Sequence, residues 1–308
     1  VKRRAAVKLI GAAMILGVAL SGCSALAADR PTVVVTTNIL GDVTRNLVGD
    51  QAEVIVLMES GADPHSFGIS AQQAAKLENA DLIIHNGAGL EEGVLHHVEA
   101  AAAEGVPILA AMDAFEPVKF TYDDDGEGKA ADDPHFWTDP SRMVRAAEAI
   151  AEGIVRHVKG ADAEAVHLNA ARYVGEVKEL ESWMEDSFAT IEPGKRKLIT
   201  NHHVFGYLAQ RFGFDVIGAV IPSGTTLASP SSSDLDELTA QIQTAGVVAI
   251  FADSSQPERL AKVLAEEAGQ DIAVVPLFTE SLGAAGSGAE TYLGMMRSNT
   301  ERITSALS

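Results

Sequence analysis

The chain has 308 residues, a formal net charge of −20 and a single cysteine. That balance excludes a nucleic-acid binder, which needs clustered Lys and Arg against phosphates, and a disulfide-stapled scaffold, which needs paired cysteines. The length is enough for one large domain or two modest ones, with cores built by packing alone.

The chain opens on a basic segment, Lys2, Arg3, Arg4 and Lys8, followed by uncharged residues 9–20 and then Leu20-Ser21-Gly22-Cys23. This order predicts a secretory signal over residues 1–22, since the apolar run is shorter than the roughly 20 residues a spanning helix needs. Leu20 to Cys23 resembles the lipobox of bacterial lipoproteins, which implies lipidation of Cys23 as the first mature residue. Loss of the four basic residues takes the net charge from −20 to −24. The expected location is extracytoplasmic, lipid-anchored to the bacterial membrane, at the cell surface or in the periplasm.

From there short apolar runs alternate with amphipathic stretches, the rhythm of βα units and parallel sheets. In the first half strands are expected at 32–36, 52–57, 82–84 and 107–110, with helices at 41–48, 70–78 and 91–103. Residues 121–133, with five aspartates and one glutamate, read as a solvated or cation-collecting loop. Residues 140–191 carry no strand signal, and 161–189 read as one long helix from the spacing of Val166, Leu168, Ala170, Tyr173, Val174, Val177, Leu180 and Trp183. The second half repeats the rhythm, with strands at 197–200, 215–220, 247–251 and 273–275 and helices at 204–211, 233–245, 256–268 and 290–307. The expected fold is α/β, two lobes of parallel sheet flanked by helices and joined by one long backbone helix. The implied organisation is an N-terminal metal-binding lobe at 23–158, a connecting helix at 159–193 and a C-terminal metal-binding lobe at 194–308.

The most informative pattern is a repeated tripeptide, Asp63-Pro64-His65 and Asp133-Pro134-His135, each followed by aromatics: Phe67, and Phe136 with Trp137. Proline fixes φ and removes a donor, so each imidazole sits on a stiff stretch, and the aromatics are expected to exclude water. His202 ends the strand at 197–200, and Glu280 follows the strand at 273–275. Loops at the carboxyl ends of parallel strands converge on one crevice. Three imidazoles and one carboxylate there make a four-coordinate transition-metal site of His65, His135, His202 and Glu280. His85, Asp253 and His203 are the expected supporting residues: His85 and Asp253 close strands near the crevice, and His203 is the substitute for His202. His96, His97, His157 and His167 read as solvated.

These motifs carry a family resemblance. Asp63 to Phe67, Ala80 to Leu82 with Asn86 to Glu91, Asp133 to Pro140, Asn201 to Tyr207, Pro230 to Leu235, and Thr291 to Leu293 with Asn299 resemble, in order, the metal-binding lipoprotein components of bacterial zinc and manganese ABC importers (cluster A-I). The resemblance implies that His65, His135 and His202 bind metal, with Glu280 at the place where family members usually carry aspartate. It further implies zinc as cargo, with manganese as the alternative, because manganese-selective members often have a carboxylate where His202 stands. Its expected partners are a divalent metal ion, an ABC permease and the membrane through the lipid anchor, with no nucleic acid, and the protein is expected to be a monomer. An enzyme is not expected. The alternative is a metal-dependent hydrolase on a three-histidine zinc site, which would need an open fourth position. A cell-adhesion role or an iron-chelate binder on the same scaffold is a third reading, since fold alone does not fix function.

Overall fold

The computed structural model describes residues 30–122, 129–269 and 272–308. The signal segment, Cys23 and residues 123–128 of the acidic stretch lie outside them. Pro31–Ser308 holds together as one compact unit.

The first sheet is built from β1 (Thr32–Val35), β2 (Glu53–Val56), β3 (Leu82–His85) and β4 (Ile108–Ala110), all parallel, in the order β2-β1-β3-β4. Helices α1 (Asn38–Val48), α2 (Ala71–Glu78) and α3 (Leu95–Ala103) connect them. A hairpin of β5 (Lys119–Tyr122) and β6 (Lys129–Asp132) follows. Two helices, α4 (Pro140–His157) and α5 (Ala163–Ala189), then lead to the second sheet. This comprises β7 (Lys197–Thr200), β8 (Asp215–Ala219), β9 (Ala249–Asp253) and β10 (Ala273–Leu277), in the order β10-β9-β7-β8. Helices α6 (Gly206–Phe212), α7 (Ser232–Ala245), α8 (Arg259–Glu267) and α9 (Tyr292–Leu307) complete the chain. Counted from its own first strand, the second sheet has the order of the first. Each therefore places a crevice where its strand order reverses, outside the carboxyl ends of the strands.

Strands buried on both faces need continuous apolar runs, and Val33, Val34 and Val35 are all fully buried. Their alternation feeds different layers. Val33 and Val35 face the inner core, while Val34 joins Leu57, Leu77, Ile83 and Val98 beneath α2 and α3. In the second sheet Leu198 faces the inner core, and Ile199 packs with Leu238, Ile242, Ile250 and Leu264 beneath α7 and α8. The inner core is a single cluster. It runs from Leu40 and Ile84 through Ile150 and Val177 to Phe251, Leu277 and Tyr292.

The 27 residues of α5 reach about 40 Å at 1.5 Å per residue, enough to span both halves. Asp162 caps it by accepting from Glu164 and Ala165 backbone N–H groups at 3.0 and 3.4 Å. Its buried stripe is Val166, Ala170, Tyr173, Val174, Val177, Leu180, Met184 and Phe188. Leu168, counted into the apolar pattern from sequence, lies on the outer face at 72 % exposure. Two residues past Val166 is about 200° around the helix, so it cannot share the stripe.

Two elements are not placed from sequence, the helix α4, within a stretch read only as lacking strands, and the hairpin. The acidic stretch reads as unstructured, yet Thr121 and Tyr122 pair with Ala130 and Lys129. A Lys119–Asp132 ion pair crosses the ladder, and Asp133 N–H donates to the Val118 carbonyl at 2.8 Å. The charge that made the segment look solvated is thus partly spent across the strands.

Gly93 shows how tightly the His65 loop is held. A Cβ there would sit 2.3 Å from the Phe67 carbonyl oxygen, a backbone atom with no rotamer to relieve it. Gly93→Ala is expected to destabilise the fold by about 1–3 kcal/mol in urea unfolding. A change below about 0.5 kcal/mol would show that this approach does not constrain the loop.

Candidate metal centre

Both copies of Asp-Pro-His fold in the same way. Asp63 Oδ1 accepts from the His65 backbone N–H at 2.9 Å, and Asp133 Oδ1 accepts from the His135 backbone N–H at 3.0 Å. This is the Asx turn, in which a short carboxylate binds the backbone two residues on. The aspartate therefore sets the turn that the proline stiffens. Asp133 Oδ1 also meets His135 Nδ1 at 2.7 Å, which leaves Nε2 as the free lone pair pointing inward.

His65 follows β2, His202 follows β7 and Glu280 follows β10, while His135 comes after the hairpin and leads into a 3-10 turn, Phe136–Thr138, ahead of α4. The four side chains meet between the two sheets. Their ligand atoms all lie within 4.8 Å of one another. Glu280 Oε1 is 2.9 Å from His202 Nε2 and 3.3 Å from His135 Nε2, and Oε2 is 4.0 Å from His65 Nε2. His135 Nε2 and His65 Nε2 are 3.4 Å apart. Ligands about 2.0–2.1 Å from a tetrahedral zinc are themselves about 3.3–3.4 Å apart, so the spacing fits one small ion.

The chemistry of these atoms supports the same fit. All four residues are 1 % exposed or less. Among the described residues, both oxygens of Glu280 and both ring nitrogens of His202 are buried without a hydrogen-bond partner, since the 2.9 Å approach of Oε1 to His202 Nε2 does not have hydrogen-bond geometry. Each such atom costs about 1–3 kcal/mol when nothing replaces its water. A cation would satisfy several of them at once.

Burial is the main force on their protonation. It pushes His65 down to about 4 and His135 down to about 3, against the pull of the Glu280 carboxylate. His202 is also lowered by burial, opposed by Asp253. Glu280 is raised by burial, opposed by His135 and His65. Asp133 and Asp253 are pushed up to about 6, again by burial first. At neutral pH the imidazoles are thus neutral and carry lone pairs for a cation.

The supporting residues separate. Asp253 is buried at the end of β9, caps its own turn by accepting from Ser255 N–H at 2.7 Å, and leaves Oδ2 unpartnered while acting on His202 electrostatically. His85 has Glu91 at 4.0 Å as its ionic neighbour; the residue touching the second tripeptide is the next one, Asn86, whose Nδ2 donates to the Pro134 carbonyl at 2.9 Å. His203 turns from the cluster and stacks on Phe120 at 5.7 Å, and its backbone N–H donates to the Ser223 carbonyl. Trp137 stands 5.3 Å from the His135 ring and is buried, as expected of a water-excluding wall. Phe67 instead packs into the layer under α2 and α3, because its side chain follows the outer face of the first sheet.

Of the residues that hold the Glu280 loop, Asn38 and Ser281 carry no sequence signal, while Trp137, marked in sequence only as a water-excluding wall, also supports it. Asn38 Nδ2 donates to Ser281 Oγ at 2.7 Å, and Asn38 Oδ1 accepts from Leu282 N–H at 3.0 Å. Trp137 Nε1 donates to the Thr279 carbonyl at 2.9 Å, and Tyr292 Oη donates to the Trp137 carbonyl at 2.9 Å. Tyr207 Oη donates to the Asp133 carbonyl and accepts from Val118 N–H, both at 3.0 Å.

Comparison with known proteins places this geometry among similar chains. The family model for ZnuA, zinc-uptake complex component A, periplasmic, matches residues 33–306. The manganese-binding lipoprotein MntA of Halalkalibacterium halodurans is 28 % identical over 96 % of each chain. The zinc-binding protein TroA of Treponema pallidum is 28 % identical over 93 % of this chain and 92 % of its own. The solved structure of periplasmic TroA superposes with a TM-score of 0.82 at 26 % identity, covering 91 % of this chain and 99 % of TroA. A manganese-bound periplasmic metal binding protein from Candidatus Liberibacter asiaticus gives 0.78 at 27 % identity, covering 90 % of this chain and all of that one.

The depressed imidazoles have a testable sign. Between pH 6.5 and about 4 the unfolded chain binds protons that folded His65 and His135 refuse, so these two groups withdraw stability as pH falls through that window. Asp133 and Asp253 act in the opposite sense below about pH 6. In NMR titration of metal-free protein, the ring protons of His65 and His135 are expected to keep neutral-imidazole shifts down to about pH 5. Midpoints near 6.5 would mean that the cluster is open to water.

Proposed function

The chain belongs to the zinc-uptake complex component A family, and on that footing we propose that it is the extracytoplasmic solute-binding component of a metal importer. It captures a divalent transition metal with His65, His135, His202 and Glu280 and delivers it to an ABC permease. The observation that carries this reading is the set of four buried ligand atoms, one from each residue, within 4.8 Å of one another, with those of His202 and Glu280 lacking any hydrogen-bond partner among the described residues. The names of the relatives support it: MntA is called a manganese-binding lipoprotein and TroA a zinc-binding protein. A lipid anchor at Cys23 holds the protein at the membrane; among the described residues no helix is long and apolar enough to cross one.

Zinc is the favoured cargo. Three imidazoles suit it better than manganese, which prefers more oxygen ligands and higher coordination. The unpartnered second oxygen of Glu280 allows a fifth contact, so manganese remains a chemically reasonable competitor. Glu280 Oε1, close to two imidazoles, supports a closed shell over the open position that a hydrolase needs.

Elemental analysis tests this directly. Protein stripped with chelator and reloaded in an equimolar zinc–manganese mixture is expected to hold one zinc per chain. His65→Ala should lose it, and Glu280→Ala should weaken it at least about 10-fold, as expected when a ligand is removed. Retained manganese would reverse the cargo, and no stoichiometric metal would contradict the capture reading.

A further inference from the structure

Asp63 does more than shape its own turn. Its Oδ1 accepts from the His65 backbone, but Oδ2 accepts from Ser66 Oγ at 3.0 Å, Thr226 Oγ1 at 2.6 Å and Gln256 Nε2 at 2.9 Å. Thr226 lies in the loop after β8 and Gln256 in the turn after β9, so one buried carboxylate ties the His65 loop to two loops of the second half.

Both loops lead to His202. The Ile221 N–H donates to the Asn201 carbonyl at 2.7 Å, and the His203 N–H donates to the Ser223 carbonyl at 3.0 Å, so the Thr226 loop is laced to the segment that bears His202. Gln256 N–H donates to the carbonyl of Asp253, the carboxylate that acts on His202. The other ligands are held by different means. Glu280 is flanked by the bonds of Asn38 and Trp137, and His135 by those of Asp133 and Asn86. The inner core beneath them is continuous from one sheet to the other, which resists separation of the halves as rigid bodies.

Thr226 and Gln256 also line a cavity of about 330 Å³, with Asn201, Ile221 and Leu260 on its walls. The ligands themselves are buried, but the two donors can be reached from outside.

We propose that Asp63, Thr226 and Gln256 form a latch over the metal cavity, and that its opening moves His202 away from His65 and sets the rate at which the ion leaves. This rests on the capture reading above. Asp63 acts as a positioning residue, and the latch requires no hinge between the halves.

The test uses the full zinc-loaded chain mixed with excess chelator, following zinc dissociation by stopped flow. Thr226→Val and Gln256→Leu keep all four ligands and Asp63. Each is expected to speed dissociation several-fold, and the double variant at least about tenfold, the scale of losing hydrogen bonds to a charged acceptor. Association should change little, since such losses fall mainly on the dissociation rate. Thr226→Ser, which restores the hydroxyl, should return to the wild-type rate. Unchanged dissociation in a double variant that still binds one zinc would overturn the latch alone. Equal acceleration in Thr226→Ser would also overturn it, by showing loop packing to be the cause. Wild-type protein that holds no zinc would overturn the capture reading and the latch with it.

Discussion

The structure is organised around a desolvation constraint: three imidazoles and a carboxylate are brought out of water with few partners of their own. Buried polar atoms of this kind are costly unless something replaces their water. The fold meets the cost with rigidity. The inner core continues from the first sheet to the second, α5 runs along both, and the Glu280 loop is held by Asn38, Ser281 and Trp137. A preorganised set of donors loses little entropy on taking up an ion, which is how such a site gains affinity without new contacts.

Three aspartates stand behind the histidines. Asp63 and Asp133 make matching turns, and Asp253 closes a strand beside His202. They differ in where their second oxygen goes: Asp63 reaches across to the second half, while Asp133 sits against the start of α6 near Gly206. The same tripeptide therefore carries two mechanical roles. One copy joins loops that can part; the other is built into a frame that includes Tyr207 and Asn86. Of the three, Asp133 bonds a ring nitrogen directly, which fixes the orientation of the His135 imidazole and raises its basicity toward a metal.

Much of this was legible in sequence, for identifiable reasons. The eight sheet strands are short apolar runs bounded by turn residues, and the long helix shows its 3.6-residue period except at Leu168. The four cluster residues could be picked out because each lies on a loop after a strand, or, for His135, because it repeats the tripeptide of His65. What escaped is the network that holds them. Asn38 and Ser281 are 243 residues apart, and nothing about an Asn at the start of one helix marks it as the partner of a Ser in a distant loop. Thr226 and Gln256 are hidden in the same way, because hydrogen bonds between small polar side chains have no period. The hairpin after β4 was masked by its acidity, since charge density says nothing of cross-strand pairing.

X-ray absorption at the zinc edge on protein loaded with one zinc per chain tests the central claim most directly. The account predicts four or five nitrogen and oxygen neighbours at about 2.0–2.1 Å with the outer-shell signature of three imidazoles, reduced to two in His202→Ala. An oxygen-only shell without imidazole scattering would contradict it.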